Sequence, residues 1–187
     1  QRAYDQILID VCLQNLPVIF AIDRAGNVGA DGETHHGLFD ISFLSSMPNM
    51  TVLAPRDGVE LEQMMDYALT LKGPCAIRYP RGTSHELAYP LNAVSEGVQK
   101  LEAGDDIAIL AVGNMVSTGL KVKESLEKYD IRAGLYNPRF IKPMDSEGII
   151  AAAKSVRLLV TLEDNVEIGG FGEQVAALLK EKNVPTD

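Results

Sequence analysis

The sequence has no tryptophan, two cysteines and few aromatic side chains, which make up 6% of its 187 residues. Basic side chains are also the minority charge, 17 against 26 acidic ones, for a formal net charge of −9. Without a Lys/Arg block, the chain lacks the electrostatic footprint of a nucleic-acid binder. Long hydrophobic runs are missing too. The longest, such as Ile107 to Val112, fall far short of the roughly 20 apolar residues a membrane-spanning helix needs, which excludes an integral membrane protein. Cys12 and Cys75 stand alone, so neither a disulfide framework nor a zinc site is expected, in keeping with a reducing compartment. No secretory or transit segment is visible, so the cytoplasm is the expected location, with a plastid left open. What is present in quantity is apolar surface: 46% of residues, enough to offset the entropy of ordering and to exclude a disordered tail.

Hydrophobic periodicity gives an alternation of strands and helices. Gln1 to Gln14 reads as a helix with Tyr4, Ile7, Leu8, Val11 and Cys12 on one face. Leu16 to Ile22 is a continuous apolar run, which suggests a parallel strand buried on both faces. A glycine-rich polar stretch follows, then a short helix over Phe39 to Ser46 and a strand over Met50 to Ala54. Asp57 and Glu60 form a capping-box-like start to a helix that turns Leu61, Met64, Met65 and Ala68 inward. A strand over Pro74 to Tyr79 runs into Pro80-Arg81-Gly82. Residues 84–96 read as a linker. Beyond it come strands near Val98 to Leu101 and Ile107 to Val112, a helix over Met115 to Tyr129 and a strand over Arg132 to Tyr136. A helix from about Ser146 to Ser155, a strand over Leu158 to Leu162 and a helix over Gly172 to Lys182 complete the pattern. The fold class is α/β: two consecutive domains, 1–83 and 97–187, with mainly parallel sheets flanked by helices. The first helix begins without a cap and Asn183 to Asp187 leads toward a strand that does not arrive, so the chain reads as a segment of a longer polypeptide.

The two parts differ in their cations. The first carries Arg2, Arg24, Arg56, Arg78 and Arg81 against Lys72 alone, whereas the second is mostly lysine. Arginine forks suit phosphate and carboxylate, while surface lysines mainly confer solubility. The first part is therefore expected to hold a polar site and the second to be mainly structural. The densest polar cluster, Asp23 to Gly37, directly follows a predicted parallel strand, and ligands of open α/β sheets bind at the carboxyl ends of strands. Its glycines allow sharp turns and close approach. Arg24 suits a phosphate, and Asp31 and His35 suit proton handling. A second strand end carries Arg78-Tyr79-Pro80-Arg81-Gly82, with Arg81 the better ligand candidate and Arg78 suited equally to an ion pair that closes the turn. Adjacent His35 and His36 make a poor metal pair, and no metal site is expected. Ile168 to Gly172 opens a helix, where close packing is favoured over an anion site. Cys12 and Cys75 are read as core residues, and His85 as a linker residue with no role.

Together, QRAYDQ, LPVIFAIDRAGNVGADGETHHGLFD, MTVLAPRD, GPCAIRYPRG, YNPRFIKPMD and TLEDNVEIGGFG resemble the transketolase superfamily of thiamine-diphosphate enzymes, over essentially the whole chain. Within it, the DRAG-VGADG-TH-G block resembles the synthases that condense pyruvate with D-glyceraldehyde 3-phosphate to 1-deoxy-D-xylulose 5-phosphate with loss of CO2. The resemblance implies the second half of a pyrimidine-binding domain followed by most of a C-terminal domain, in a homodimer. It implies that Arg24 and Arg81 bind the substrate phosphate, that Asp31 and His35 contact substrate and assist proton transfer, and that Arg2 and Tyr4, in the helix near the cofactor pocket, also bind substrate, with Arg2 the favoured participant. Thiamine diphosphate and magnesium belong to the full-length enzyme. The GDG…N stretch and the activating glutamate do not occur in this sequence, so no complete cofactor site, no tight cofactor binding and no activity are expected of the segment alone. A transketolase, a 2-oxo-acid dehydrogenase beta subunit, and a non-catalytic anion-binding or dimerising module remain alternatives.

Overall fold

The computed structural model describes residues 2–185, so Gln1, Thr186 and Asp187, at the two ends of the expected elements, lie outside the described residues. Two four-stranded sheets carry the architecture. The first has the order β1 (Ile19–Ile22), β3 (Cys75–Arg78), β2 (Thr51–Leu53), β7 (Phe140–Lys142). Its first three strands are parallel and β7 is antiparallel to β2. The second sheet has the order β4 (Gln99–Glu102), β6 (Ala133–Asn137), β5 (Ile107–Ala111), β8 (Leu158–Leu162). There β4 is antiparallel to β6, and the rest are parallel. Among the described residues, five α-helices flank the sheets: α1 (Asp40–Ser45), α2 (Gly58–Thr70), α3 (Met115–Glu127), α4 (Ser146–Lys154) and α5 (Phe171–Glu181).

Helix α2 shows how local sequence sets these bounds. The Asp57 carboxylate accepts the Glu60 N–H at 2.9 Å, satisfying an otherwise orphaned donor. The reciprocal bond from Glu60 goes one residue further back than a capping box requires, to the Arg56 N–H at 2.7 Å. Met64 and Ala68 are buried at helical spacing, and Leu71 turns extended before Gly73-Pro74. Asp145 begins α4 the same way, accepting from Gly148 N at 3.0 Å, and also takes Val98 N at 2.9 Å.

Four features depart from the sequence reading. The first helix, over Gln6–Cys12, is wound wide, with Leu13 N bonding Leu8 O and Leu16 N bonding Val11 O. Both patterns turn Ile7, Leu8, Val11 and Cys12 inward. The run at 16–22 is parallel as expected but lies at the sheet edge, so β1 is only half-buried and Ala21 is exposed. Strand β7, three residues long, has no signature in the sequence, and it carries the second half of the chain onto the first sheet. The expected linker is irregular apart from a turn at Val94–Glu96, but it is pinned down, as shown below. The largest core cluster spans both halves, joining Ile41, Leu44, Met47 and Val52 to Leu110, Ile149, Phe171 and Val175.

Cys12 and Cys75 are free and buried, as their apolar settings suggest. Burial pushes the Cys75 thiol up to about 12 and raises that of Cys12 as well. Because the thiolate is the reactive form, both should resist iodoacetamide at neutral pH in the folded chain and react once it is denatured. Mass spectrometry of labelled peptides checks this, and rapid labelling of either in the folded chain would contradict the buried placement.

Candidate anion-binding site at the junction of the two halves

Strands β1 and β3 are adjacent and parallel, so their carboxyl ends bring the stretches after Ile22 and Arg78 together. Ala25 N bonds Tyr79 O at 3.0 Å, tying the two strand ends. The glycine-rich loop is pinched at its base by paired bonds between Gly26 and Gly37, both 2.9 Å. Arg24 turns into that pinch with φ 56°, and Gly26 follows with φ 81°. An alanine at Gly37 would put its Cβ 2.4 Å from Arg24 O, so a side chain there is incompatible with the pinch. Inside the loop the Val28 N–H donates to His36 Nδ1 at 2.9 Å, which assigns the His36 ring proton to Nε2.

Asp31 lies between the two candidate arginines. Its Oδ2 accepts from Arg24 Nε at 2.7 Å, and its Oδ1 accepts from Arg81 Nη1. Arg24 Nη1 also reaches Asp23 at 3.3 Å. Arg24 and Arg81 remain 44% and 50% exposed at the side chain, whereas Asp31 is 16% exposed. Both arginines line a cavity of 520 Å³ together with Arg56, Tyr79, His85 and Asn114, the last from the second half of the chain. Two guanidiniums oriented by one carboxylate, with donors left over and open to a cavity, present the kind of donors that an anion requires.

The hydrogen bond from Arg24, assisted by the charge of Arg81, holds the Asp31 carboxyl below its ordinary range and raises Arg24. A carboxylate with a depressed folded value contributes stability above its unfolded value of about 3.9. It loses that contribution as pH falls through the folded value. Asp31 is therefore expected to stay charged from neutrality down into the acid range. A carboxyl-detected NMR titration should place its midpoint below about 3.9; a midpoint near neutrality would contradict the clamp.

The other candidates sit elsewhere. His35 is exposed on the same loop, its Nδ1 2.9 Å from Thr34 Oγ1. Arg2 is exposed at the start of the first helix. Tyr4 lies 3.3 Å from Ser46 Oγ and lines a separate apolar cavity with Phe39, Phe43, Val166 and Ile168. The structure thus joins Arg24, Asp31 and Arg81, and leaves Tyr4 at a distinct cavity and Arg2 exposed at the start of the first helix. Arg78 is buried and donates to Asp164 O at 2.9 Å and Gly37 O at 3.4 Å, so it holds backbone. The N-terminus of α5 is already occupied by Glu163, which accepts from Phe171 N and Gly172 N at 2.8 and 2.7 Å, in line with close packing there. His85, read as a residue without a role, lines the main cavity. The second half, read as mainly structural, supplies Asn114 to that cavity and Asp164 to the loop. Nothing short-range in the sequence signals either.

Among the described residues, no three His, Cys, Asp or Glu side chains gather as a metal-binding set. Among them, too, no helix is long and apolar enough to cross a membrane.

The fold and this site define a class. Residues 1–85 match the family described as transketolase, pyrimidine binding domain, and residues 96–186 match transketolase, C-terminal domain. The chain belongs to the transketolase family. A split-gene transketolase, described as an inactive beta4 tetramer, superposes with a TM-score of 0.89 at 31% identity, over 99% of this chain and 60% of that one. A transketolase variant from Pichia stipitis shares the fold at 22% identity and a TM-score of 0.68, over 81% of this chain and 24% of that one. The curated relatives are more particular. Proteins of Alkaliphilus oremlandii and Clostridium tetani, each 50% identical over 98% of this chain, are named 1-deoxy-D-xylulose-5-phosphate synthase. The chain spans about 30% of their length.

Proposed function

We propose that this chain is the acceptor side of a thiamine-diphosphate-dependent synthase that condenses pyruvate with D-glyceraldehyde 3-phosphate, releasing CO2 and forming 1-deoxy-D-xylulose 5-phosphate. The observation that carries the proposal is the Arg24–Asp31–Arg81 clamp, open to a cavity at the ends of two parallel strands. The guanidiniums of Arg24 and Arg81 hold the phosphate of the aldehyde, and Asp31 fixes their spacing. His35, exposed on the same loop, contacts substrate hydroxyls and exchanges a proton there. Arg2 and Tyr4 serve the donor side, near the cofactor. The carbon–carbon chemistry belongs to the cofactor, and this chain contributes grip, charge and orientation. Magnesium and the cofactor diphosphate are assigned to parts of the relatives' length that this chain does not span, so the chain alone is proposed to be inactive. Assembly as a homodimer is proposed on the family likeness and on the exposed Ile9, Leu13 and Ile168. The split-gene neighbour, described as an inactive tetramer, supports the inactive reading and self-association in general. A cytoplasmic location accompanies the proposal.

The test supplies the full-length polypeptide with thiamine diphosphate, magnesium, pyruvate and D-glyceraldehyde 3-phosphate. One CO2 released per molecule of 1-deoxy-D-xylulose 5-phosphate is the expected result. Transfer of a two-carbon unit from a ketose phosphate, with no use of pyruvate, would replace the proposal with a transketolase activity. Acyl transfer from pyruvate to a lipoyl group would replace it with a dehydrogenase subunit.

A further inference from the structure

The arginine clamp belongs to the first half of the chain, but the loop that shapes it is held from the second. Asp164 lies between β8 and α5, and both its carboxylate oxygens accept the Asn27 N–H, at 3.1 and 3.2 Å. It sits directly on the pinch: a Cβ built on Gly26 would fall 1.9 Å from Asp164 Oδ2. Gly26 therefore leaves the space that this carboxylate fills. The backbone oxygen of Asp164 receives the Arg78 guanidinium, which also reaches Gly37 O on the other side of the pinch. Arg78 precedes Arg81 by three residues and Asn27 follows Arg24 by three, so one residue braces both arms of the clamp. The contact continues as a seam, with Val166 N bonding Leu38 O at 2.8 Å and Ile41 N bonding Asn165 Oδ1 at 3.2 Å.

We infer that Asp164 is a positioning residue for the anion grip, setting the spacing of Arg24 and Arg81 from the second half of the chain. It touches neither guanidinium and acts through the Gly26–Asn27 backbone and through Arg78. Arg24 makes the clamp sensitive to this brace. Its left-handed backbone is uncommon for a residue with a side chain, so it depends on the surrounding bonds to persist. Loosening the brace changes where the guanidinium points without removing a charge from the site. Misplacement by about 1 Å can cost on the order of 100-fold in a site that works by orientation. Because it names a further residue for the same phosphate grip, the inference rests on the function proposed above.

Two substitutions in the full-length polypeptide test it, Asp164→Ala and Asp164→Asn, with Arg81→Ala as the reference. Inorganic phosphate is titrated against each while the arginine Nε–H signals are followed by NMR. KM for D-glyceraldehyde 3-phosphate and for pyruvate is measured alongside. Asp164→Ala is expected to weaken phosphate binding and raise KM for the aldehyde phosphate roughly tenfold or more, with KM for pyruvate little changed. Asp164→Asn keeps an acceptor for the Asn27 N–H and should recover most of the loss, which a general loss of folding would not permit. Phosphate binding abolished by Arg81→Ala but untouched by Asp164→Ala would overturn the Asp164 inference alone. Equal changes in both KM values, or no rescue by Asn, would overturn it as well. Phosphate binding indifferent to Arg81→Ala would remove the grip itself, and the Asp164 proposal with it.

Discussion

Replacing Glu60 with Ala should destabilise the fold by about 3–5 kcal/mol, the cost of breaking a buried ion pair from one side. Glu60 is 0% exposed and lies where the two halves meet. It accepts from Arg56 N, from Asn137 Nδ2 at 2.9 Å and from Arg139 Nε at 3.0 Å. Arg139 reaches on to Ala93 O at 2.9 Å and Gln99 Oε1 at 2.8 Å. Arg56 bonds Asp57, Gln99 and Tyr89 O. Two buried guanidiniums are thus balanced by two carboxylates, and the segment between the halves is tied to both. Without Glu60, two buried cations share one carboxylate, and the low-dielectric surroundings that strengthened the pair now penalise the excess charge. A chain of this size loses roughly 2–4 °C of Tm per kcal/mol, so a fall of about 10 °C is expected by calorimetry. The double substitution Glu60→Leu with Arg139→Leu should cost less than the sum of the two single ones, because no charge is then left unpaired. A loss under about 1 kcal/mol for Glu60→Ala, the worth of a solvated surface pair, would mean that the junction is wet.

Arg24 and Arg81 were legible in the sequence as anion-binding candidates, but the Asp31 bridge between them and this junction were not; for the junction the reason is the range of the interactions. Asp23 to Gly37 compresses glycines, an arginine, acids and histidines into one stretch after an apolar run, so strand ends and polar chemistry coincide locally. Placing Arg81 beside it required only that two strands be parallel and adjacent. Glu60, by contrast, meets Asn137 and Arg139 across 77 and 79 residues, and Asp164 meets Asn27 across 137. No periodicity or spacing reports such pairs. Strand type was readable and strand position was not: Leu16 to Ile22 has the composition of a buried strand but forms an edge. Strand β7 is too short to alternate visibly, and among the described residues it is the strand that brings the second half onto the first sheet. Assigning chemistry to the first half and structure to the second therefore failed where the second half reaches over to hold the first.

In the proposed full-length synthase, Arg81→Ala should raise KM for D-glyceraldehyde 3-phosphate by about 10- to 100-fold, the worth of a hydrogen-bonded charge of 1.5–3 kcal/mol, while leaving KM for pyruvate nearly unchanged. Asp31 engages Arg81 through Nη1, and the side chain is half exposed at the cavity, so much of its fork is free for a phosphate oxygen. Arg24 is more heavily committed, to Asp31 through Nε and to Asp23 through Nη1. Arg81 is consequently the greater loss of the two. Removing it also leaves Asp31 with one cation rather than two, which turns the carboxylate from an orienting group into a repulsive neighbour of the phosphate. Arg81→Lys separates charge from geometry: it preserves the cation but not the planar fork, and should restore only part of the affinity. Steady-state kinetics with each substrate varied at saturating levels of the other reads the split. Equal changes in both KM values, or full recovery with lysine, would show that Arg81 acts through the general field of the cavity and not as a phosphate ligand.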